Sequence, residues 1–172
     1  MTRIDIAYKA KRARARVIAR YMERNGIRRC VCFSCGNACD ALIAEGLDCV
    51  AIAPERDLRA ERWWTMEEIR QTFPTAFDAT SGHLPVDVLL DVADAFRSEF
   101  AGLFEEGREY IVPTGSGETI VCLKLAFPRI FFRAEWVRGI PALEPEPLAP
   151  LRPFVQTFFP WVINEEREVC KR

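Results

Sequence analysis

The sequence predicts an α/β fold with three layers and a mostly parallel sheet. Two short apolar runs, at 28–33 and 48–53, flank a segment of helical periodicity at 38–45, and a strand, helix and strand of these lengths form a parallel pair. A third apolar run, at 110–112, leads through a glycine loop into a helical segment at 119–127. With 172 residues, 49% of them hydrophobic, the chain can bury one core, so we expect a single domain.

The domain boundaries follow from composition. We assign residues 1–138 to the α/β domain and residues 139–153, which are rich in proline, to an extended linker. Residues 154–172 begin with an apolar run, which predicts a tail that packs either on its own domain or on a partner. The tail therefore favours a homo-oligomer or a complex with another protein.

The N-terminal segment, at 7–25, has the pattern of an amphipathic helix. Its apolar residues recur at steps of three and four, with the arginines assigned to the solvent side; they are Ala10, Ala13, Val17, Ile18 and Tyr21. Residues 1–30 carry ten Lys and Arg against two acidic residues, a net charge of +8, so the remainder carries −9. Because no aromatic side chains alternate with these basic residues, we favour a solvated face over a nucleic-acid partner.

Several features bear on cellular location. No run approaches the roughly 20 apolar residues that cross a bilayer, and the N-terminus lacks a signal-peptide pattern, so we expect a cytoplasmic protein without a membrane segment. Seven cysteines in this setting predict reduced thiols. Four of them form a C-x-C-x2-C-x3-C motif, which is a possible metal site; they are Cys30, Cys32, Cys35 and Cys39. Since a strand, a turn and a helix would separate the four thiols, we favour buried apolar thiols and no metal.

The remaining segments are assigned by pattern. Residues 65–72 and the stretch from Pro85 to near Gly102–Gly107 have the caps and periodicity of helices, and residues 129–137 are predicted to form a strand rich in aromatics. Residues 77–84 are predicted to form a loop that carries the only histidine, His83. A loop position keeps His83 available for chemistry, although a surface or capping role is the more common one.

Two loops are candidate binding sites because each connects a strand to a helix. The unpaired N–H groups at the start of such a helix bind anions at the carboxyl edge of a parallel sheet. The first loop contains Ser34, Cys35, Gly36 and Asn37, and the second contains Gly115, Ser116, Gly117 and Thr119. Neither a Walker motif nor the G-x-G-x-x-G dinucleotide motif is present in the second loop, so a tight turn without a ligand is the alternative.

Three segments, taken together and in order, resemble a known family. Residues 8–13 (YKAKRA), 34–37 (SCGN) and 112–117 (VPTGSG) are similar to motifs of the fold-type II pyridoxal-phosphate enzymes, the group of tryptophan synthase β, cysteine synthase and threonine synthase. The similarity extends over about residues 7–127. Lys9 precedes Asn37 by 28 residues, and Lys11 and Ala13 occupy the later positions of the family's K-x-R-x-A motif.

The resemblance implies a shortened tryptophan synthase β-like fold with pyridoxal 5'-phosphate as cofactor. It implies that Lys9 is the catalytic Schiff-base lysine and that Asn37 contacts the cofactor's ring oxygen. The second loop would then bind the phosphate through Gly115, Ser116, Gly117 and Thr119, while Ser34, Cys35 and Gly36 receive the substrate carboxylate. The expected function is β-elimination or replacement on an amino acid. A non-catalytic interaction or structural module that retains the fold is the alternative.

Overall fold

A computed structural model describes residues 1–33, 37–52, 71–138 and 165–168. In chain order the elements are β1 (Thr2–Arg3), α1 (Ala7–Arg24), β2 (Arg29–Phe33), α2 (Asn37–Ala44), β3 (Asp48–Ile52), β4 (Phe77–Asp78), α3 (Val86–Glu99), β5 (Glu109–Thr114), α4 (Glu118–Ala126), β6 (Phe131–Arg138) and β7 (Glu165–Glu168). The turn at Ser34, Cys35 and Gly36, most of the predicted helix at 65–72, and the linker at 139–153 lie outside the described residues.

All described strand pairs are parallel, which confirms the α/β class. They form a three-stranded sheet in the order β3-β2-β4 and a four-stranded sheet in the order β1-β5-β6-β7. Within the described residues the strands thus belong to two sheets, whereas the sequence predicts one. One edge strand of each sheet has only two residues, β1 in the larger sheet and β4 in the smaller one.

The prediction of a loop at 77–84 is wrong for its first residues, which form a strand. Phe77 and Asp78 pair with Cys30 and Val31 of β2, and the N–H of Ala79 continues the ladder by donating to the carbonyl of Val31 at 2.8 Å. A two-residue strand has too little periodicity to be recognised from sequence. The loop that follows β4 therefore starts at the carboxyl edge of the smaller sheet.

One apolar core connects the helices and both sheets. Helix α1 packs against α2 and α3, and α3 packs against α4. The apolar residues of these helices join those of β2, β5 and β6 in a single buried cluster, in which Trp136 is fully buried. The ring of Phe104 is in edge-on contact with several neighbouring rings, which extends the core under the larger sheet; these are Phe100, Tyr110, Phe127 and Phe132.

The C-terminal tail contributes one described element. Glu165–Glu168 pairs in parallel with β6, with Glu135 opposite Glu165. The neighbouring tail residues, on which the predicted packing of the apolar run depends, lie outside the described part of the chain. None of the helices in the described ranges combines the length and the apolar character needed to cross a membrane.

Candidate functional site

The loops that follow β4 and β5 meet. The backbone N–H of Gly82, in the first loop, donates to Oε2 of Glu118, which begins α4 after the second loop, at 2.7 Å. Each loop leaves the carboxyl end of a parallel strand, and the two strands belong to different sheets. Ligands in α/β proteins bind outside the carboxyl ends of parallel strands, so this junction is the position in the described fold where a site is expected.

A buried ion pair holds the junction together. Nε of Arg14, on α1, donates to Oε1 of Glu118, and Nη2 of Arg14 donates to the backbone carbonyl of Ala79 at 2.5 Å. Arg14 is 7% exposed and Glu118 is 3% exposed. Burial lowers the pKa of the Arg14 guanidinium, but the attraction and hydrogen bond of Glu118, together with the nearby thiols of Cys32 and Cys122, outweigh burial, and the pKa is raised overall. The guanidinium of Arg14 is therefore held as a cation opposite Glu118.

Arg14 is one of the arginines that the sequence assigned to the solvent side of α1, and for this residue the assignment is wrong. Arg14 lies four residues after Ala10 and three before Val17, both of which are buried, so helical spacing places it in the apolar stripe. A buried charge needs a partner, and Glu118 supplies it. The position of an arginine within an apolar stripe is the sequence signal that could have identified the pair.

The glycines at 115 and 117 differ in what the backbone requires of them. Gly117 caps α4 with φ of +92°, a left-handed conformation that only glycine adopts without strain. Gly115 has no positive φ, and a Cβ placed there would meet no protein atom within 4 Å. The fold therefore demands glycine at 117, whereas the space above Gly115 is left open to another molecule.

The other predicted residues of this loop have defined positions. Ser116 is buried, and its Oγ accepts a hydrogen bond from the N–H of Glu118 at 3.3 Å. Thr119 lies half-buried in the first turn of α4. The structure thus brings Gly115, Ser116, Gly117 and Thr119 together where a strand ends and a helix begins.

The loop after β4 contributes an oriented imidazole. Oδ2 of Asp78 lies 2.8 Å from Nδ1 of His83, and Oδ1 of Asp78 accepts from the N–H of Thr80 at 2.9 Å. The side chains of His83 and Asp78 are each 33% exposed. Asp78 therefore fixes the histidine beside Gly82, which itself contacts Glu118.

The predicted lysine and asparagine begin two helices that pack on each other, α1 and α2. Lys9 lies in the first turn of α1, is exposed, and its amine has no hydrogen bond or ion pair within the described ranges. Lys11 is half-buried. Asn37 is the first residue of α2, immediately after the segment containing Ser34, Cys35 and Gly36, which lies outside the described residues together with any contact it makes.

The metal alternative finds no support in the described ranges. No group of three or more His, Cys, Asp and Glu side chains there is arranged to hold a metal ion. Of the four thiols in the motif, Cys30, Cys32 and Cys39 are described and buried, and Cys35 lies outside the described residues.

Comparison with known proteins adds no relative. No protein-family model matches the chain, and searches of curated proteins and of solved structures each gave no match. The functional argument therefore depends on the residues and on the geometry described above.

Proposed function

We propose that the chain is a small pyridoxal-phosphate-binding protein that catalyses β-elimination or replacement on an amino acid. The observation that carries the proposal is the glycine loop at 115–117, which lies at the carboxyl end of β5 and the start of α4 and leaves open space above Gly115. The first N–H groups of a helix lack intrahelical partners and bind phosphate.

The charge balance at this helix start supports an anion site. A carboxylate at the beginning of α4 would repel a phosphate, but Glu118 forms its ion pair with Arg14 and accepts the N–H of Gly82. The pair cancels the repulsion, and the dipole of α4 still favours negative charge in front of it. Gly115, Ser116, Gly117 and Thr119 would hold the phosphate in this proposal.

The remaining roles are those that the resemblance implies. Lys9 would attach the cofactor covalently, Asn37 would bind its ring oxygen, and Ser34, Cys35 and Gly36 would bind the substrate carboxylate. When bound, pyridoxal phosphate supplies an electron sink for the carbanion that forms on the amino acid. The exposure of Lys9 supports its role, because an aldehyde can reach an exposed amine.

A titration with the cofactor tests this proposal. We expect a visible absorption band that saturates with added pyridoxal phosphate and is removed by borohydride, which fixes the cofactor on a lysine. The chain has four lysines, Lys9, Lys11, Lys124 and Lys171, so peptide mapping identifies the attachment site unambiguously. We expect the label at Lys9. A colourless protein at excess cofactor, or equal labelling of all four lysines, would contradict the proposal.

A second candidate function is a non-catalytic interaction or structural module. It is favoured by one observation: Glu118 already occupies the start of α4 with its own carboxylate, and Arg14 and Gly82 satisfy it, so the network is complete without a ligand. Thermal melting distinguishes the two. A ligand that binds the folded state raises the melting temperature, so a melting temperature unchanged by either inorganic phosphate or pyridoxal phosphate favours the module.

A further inference from the structure

Three thiols from three elements meet at the start of α2. Sγ of Cys39, on α2, lies 3.3 Å from Sγ of Cys49, on β3. Cys49 is directly opposite Cys30 in the parallel pairing of β3 with β2, so the two side chains lie on the same face of the sheet. A disulfide bond is about 2.05 Å long, so Cys39 and Cys49 are not bonded to each other as disulfide partners, but they need only a small shift to form that bond.

The three thiols differ in access. Cys30 is fully buried and Cys39 is 5% exposed, whereas Cys49 is partly exposed. A small reagent therefore reaches the cluster from the side of Cys49. The thiol of Cys122 serves for comparison: it is buried in α4, and its sulfur lies 3.9 Å from the carbonyl of Leu89.

Their acidities differ as well. A hydrogen bond with Cys49 lowers the pKa of the Cys39 thiol, although burial opposes it. Cys39 is also in the first turn of α2, where the helix dipole favours a thiolate. The pKa of the Cys49 thiol is raised, because its hydrogen bonds to Cys30 and Cys39 favour the protonated form. Cys39 is thus the better nucleophile and Cys49 the proton-bearing neighbour.

We propose that Cys39 and Cys49 form an oxidisable dithiol that reduces a hydroperoxide. The Cys39 thiolate attacks the terminal peroxide oxygen, the O–O bond breaks, and the alkoxide or hydroxide that leaves takes a proton to become an alcohol or water. Cys39 is then a sulfenic acid. The Cys49 sulfur attacks the Cys39 sulfur, the S–O bond breaks, and the hydroxyl leaves as water with the proton of Cys49. Two thiols are oxidised to one disulfide and one peroxide is reduced.

The disulfide would connect the first turn of α2 to β3. Cys39 is two residues after Asn37, which begins α2, so the bond would fix the helix start at which the cofactor contact is proposed. The dithiol itself requires no cofactor, and its reaction with a hydroperoxide can be measured on the full chain alone.

Peptide mapping of the full chain tests the proposal. The reduced protein is treated with hydrogen peroxide, free thiols are alkylated, and the chain is digested. Trypsin is unsuitable, because no Lys or Arg lies between Arg29 and Arg56 and both cysteines stay in one peptide. Cleavage after Glu45 separates Cys49 from Cys39. We expect the two resulting peptides to be joined by a bond that dithiothreitol reverses.

Variants identify the partner of Cys49. The peptide that ends at Glu45 contains four cysteines, Cys30, Cys32, Cys35 and Cys39. Each of them is therefore changed to Ser in turn. We expect Cys39→Ser and Cys49→Ser to lose the cross-link, and Cys122→Ser to keep it. Complete alkylation of all cysteines after peroxide treatment, or a cross-link that survives Cys39→Ser, would overturn the proposal. Mapping of the peroxide-treated wild-type protein shows whether a cross-link forms at all, even if a variant does not fold.

Discussion

Arg14 and Glu118 are 104 residues apart in the sequence and form a buried ion pair between α1 and the start of α4. The same two side chains also bind the backbone of the loop after β4, Arg14 at the carbonyl of Ala79 and Glu118 at the N–H of Gly82. Three separate segments of the candidate site are therefore positioned by one pair. Removing a single partner leaves a buried charge without compensation, which typically costs about 3–5 kcal/mol.

We predict that Arg14→Met and Glu118→Met each lower the free energy of unfolding by about 3–5 kcal/mol, because each leaves one buried charge unpaired. The double variant Arg14→Met/Glu118→Met should be more stable than either single variant, since no charge remains. Urea denaturation followed by circular dichroism measures all three.

Asp94→Asn is the matched control for this cycle. It removes the ion pair of Asp94 with Arg97, whose side chains are 68% and 56% exposed, and exposed pairs contribute about 1 kcal/mol or less. Two results would show that the buried pair does not hold the three segments together. One is that Glu118→Met lowers the free energy of unfolding by no more than Asp94→Asn does. The other is that the double variant is the least stable of the set.

A second prediction concerns pH. Burial raises the pKa of the Cys32 thiol to about 12, although the positive charge of Arg14 lowers this pKa in part. Burial also raises the pKa of the Cys122 thiol. An unfolded thiol ionises near pH 8.5, so above that pH the folded state binds more protons than the unfolded state, and stability falls as pH rises. Between about pH 9 and 12 each such thiol should reduce the free energy of unfolding by about 1.4 kcal/mol per pH unit.

Urea denaturation at a series of pH values from 7 to about 10.5 tests the sign and the slope. Cys122→Ala should make the free energy of unfolding fall less steeply with pH, by about 1.4 kcal/mol per pH unit, which is the contribution of one thiol. Leu125→Ala is the control, because Leu125 is on the same helix, is 41% exposed and does not titrate. A slope that is the same in wild type and in Cys122→Ala would show that this thiol does not determine the alkaline decline.

Local pattern predicted most of the described elements. Helix α1, expected at 7–25, is Ala7–Arg24, and the strand, helix and strand expected at 28–33, 38–45 and 48–53 are Arg29–Phe33, Asn37–Ala44 and Asp48–Ile52. These segments each present an apolar face with a clear period, which is the strongest secondary-structure signal in a sequence. The parallel pairing followed from the helix between the strands.

Pairings between distant segments were not accessible in the same way. The two-residue strand β1 is positioned by its pairing with β5 and by the bond of Arg3 to the buried carboxylate of Glu135 at 2.9 Å. The contacts of Glu118 with Arg14 and with Gly82 likewise depend on how the elements pack. Periodicity reports which face of an element is buried, but it does not report which distant residue lies against that face. The glycine loop was therefore predicted and its ionic support was not.

A third prediction separates structure from binding within the glycine loop. Gly115→Ala should leave stability nearly unchanged, because the backbone has no positive φ there and a Cβ meets nothing within 4 Å. The added methyl group would occupy the space assigned to the phosphate, so affinity for pyridoxal phosphate should fall by about tenfold or more, which corresponds to about 1.4 kcal/mol. Equilibrium titration and thermal melting measure the two effects separately.

Gly26→Ala is the matched control, since Gly26 has φ of +65°, a Cβ there also meets nothing within 4 Å, and it lies at the far end of α1. That change should cost about 1 kcal/mol of stability through backbone strain and leave affinity unaffected. If Gly115→Ala and wild type bind pyridoxal phosphate with equal affinity, the open space above Gly115 is not where the phosphate binds.

The last prediction concerns which lysine reacts. Lys9 and Lys11 are two residues apart and so point about 200° apart on α1, and they cannot both face one cofactor. Lys11 is half-buried, and it precedes the buried residues Ala15 and Ile18 by four and seven positions, so it follows the packed side of the helix. Lys9 is exposed, its amine has no partner in the described part of the chain, and it fits the K-x-R-x-A register.

We therefore expect Lys9→Arg to abolish the visible band and the borohydride-stable attachment, while Lys11→Arg keeps both. Arginine retains the positive charge at either position but has no amine that condenses with an aldehyde, so the pair of variants separates reaction from electrostatics. Absorbance at saturating cofactor and mass spectrometry after reduction provide the readouts. If Lys11→Arg abolishes the band and Lys9→Arg does not, the reactive lysine is two residues later than the motif implies. If both variants bind as wild type does, neither amine attaches the cofactor, and the non-catalytic module becomes the better account of the chain.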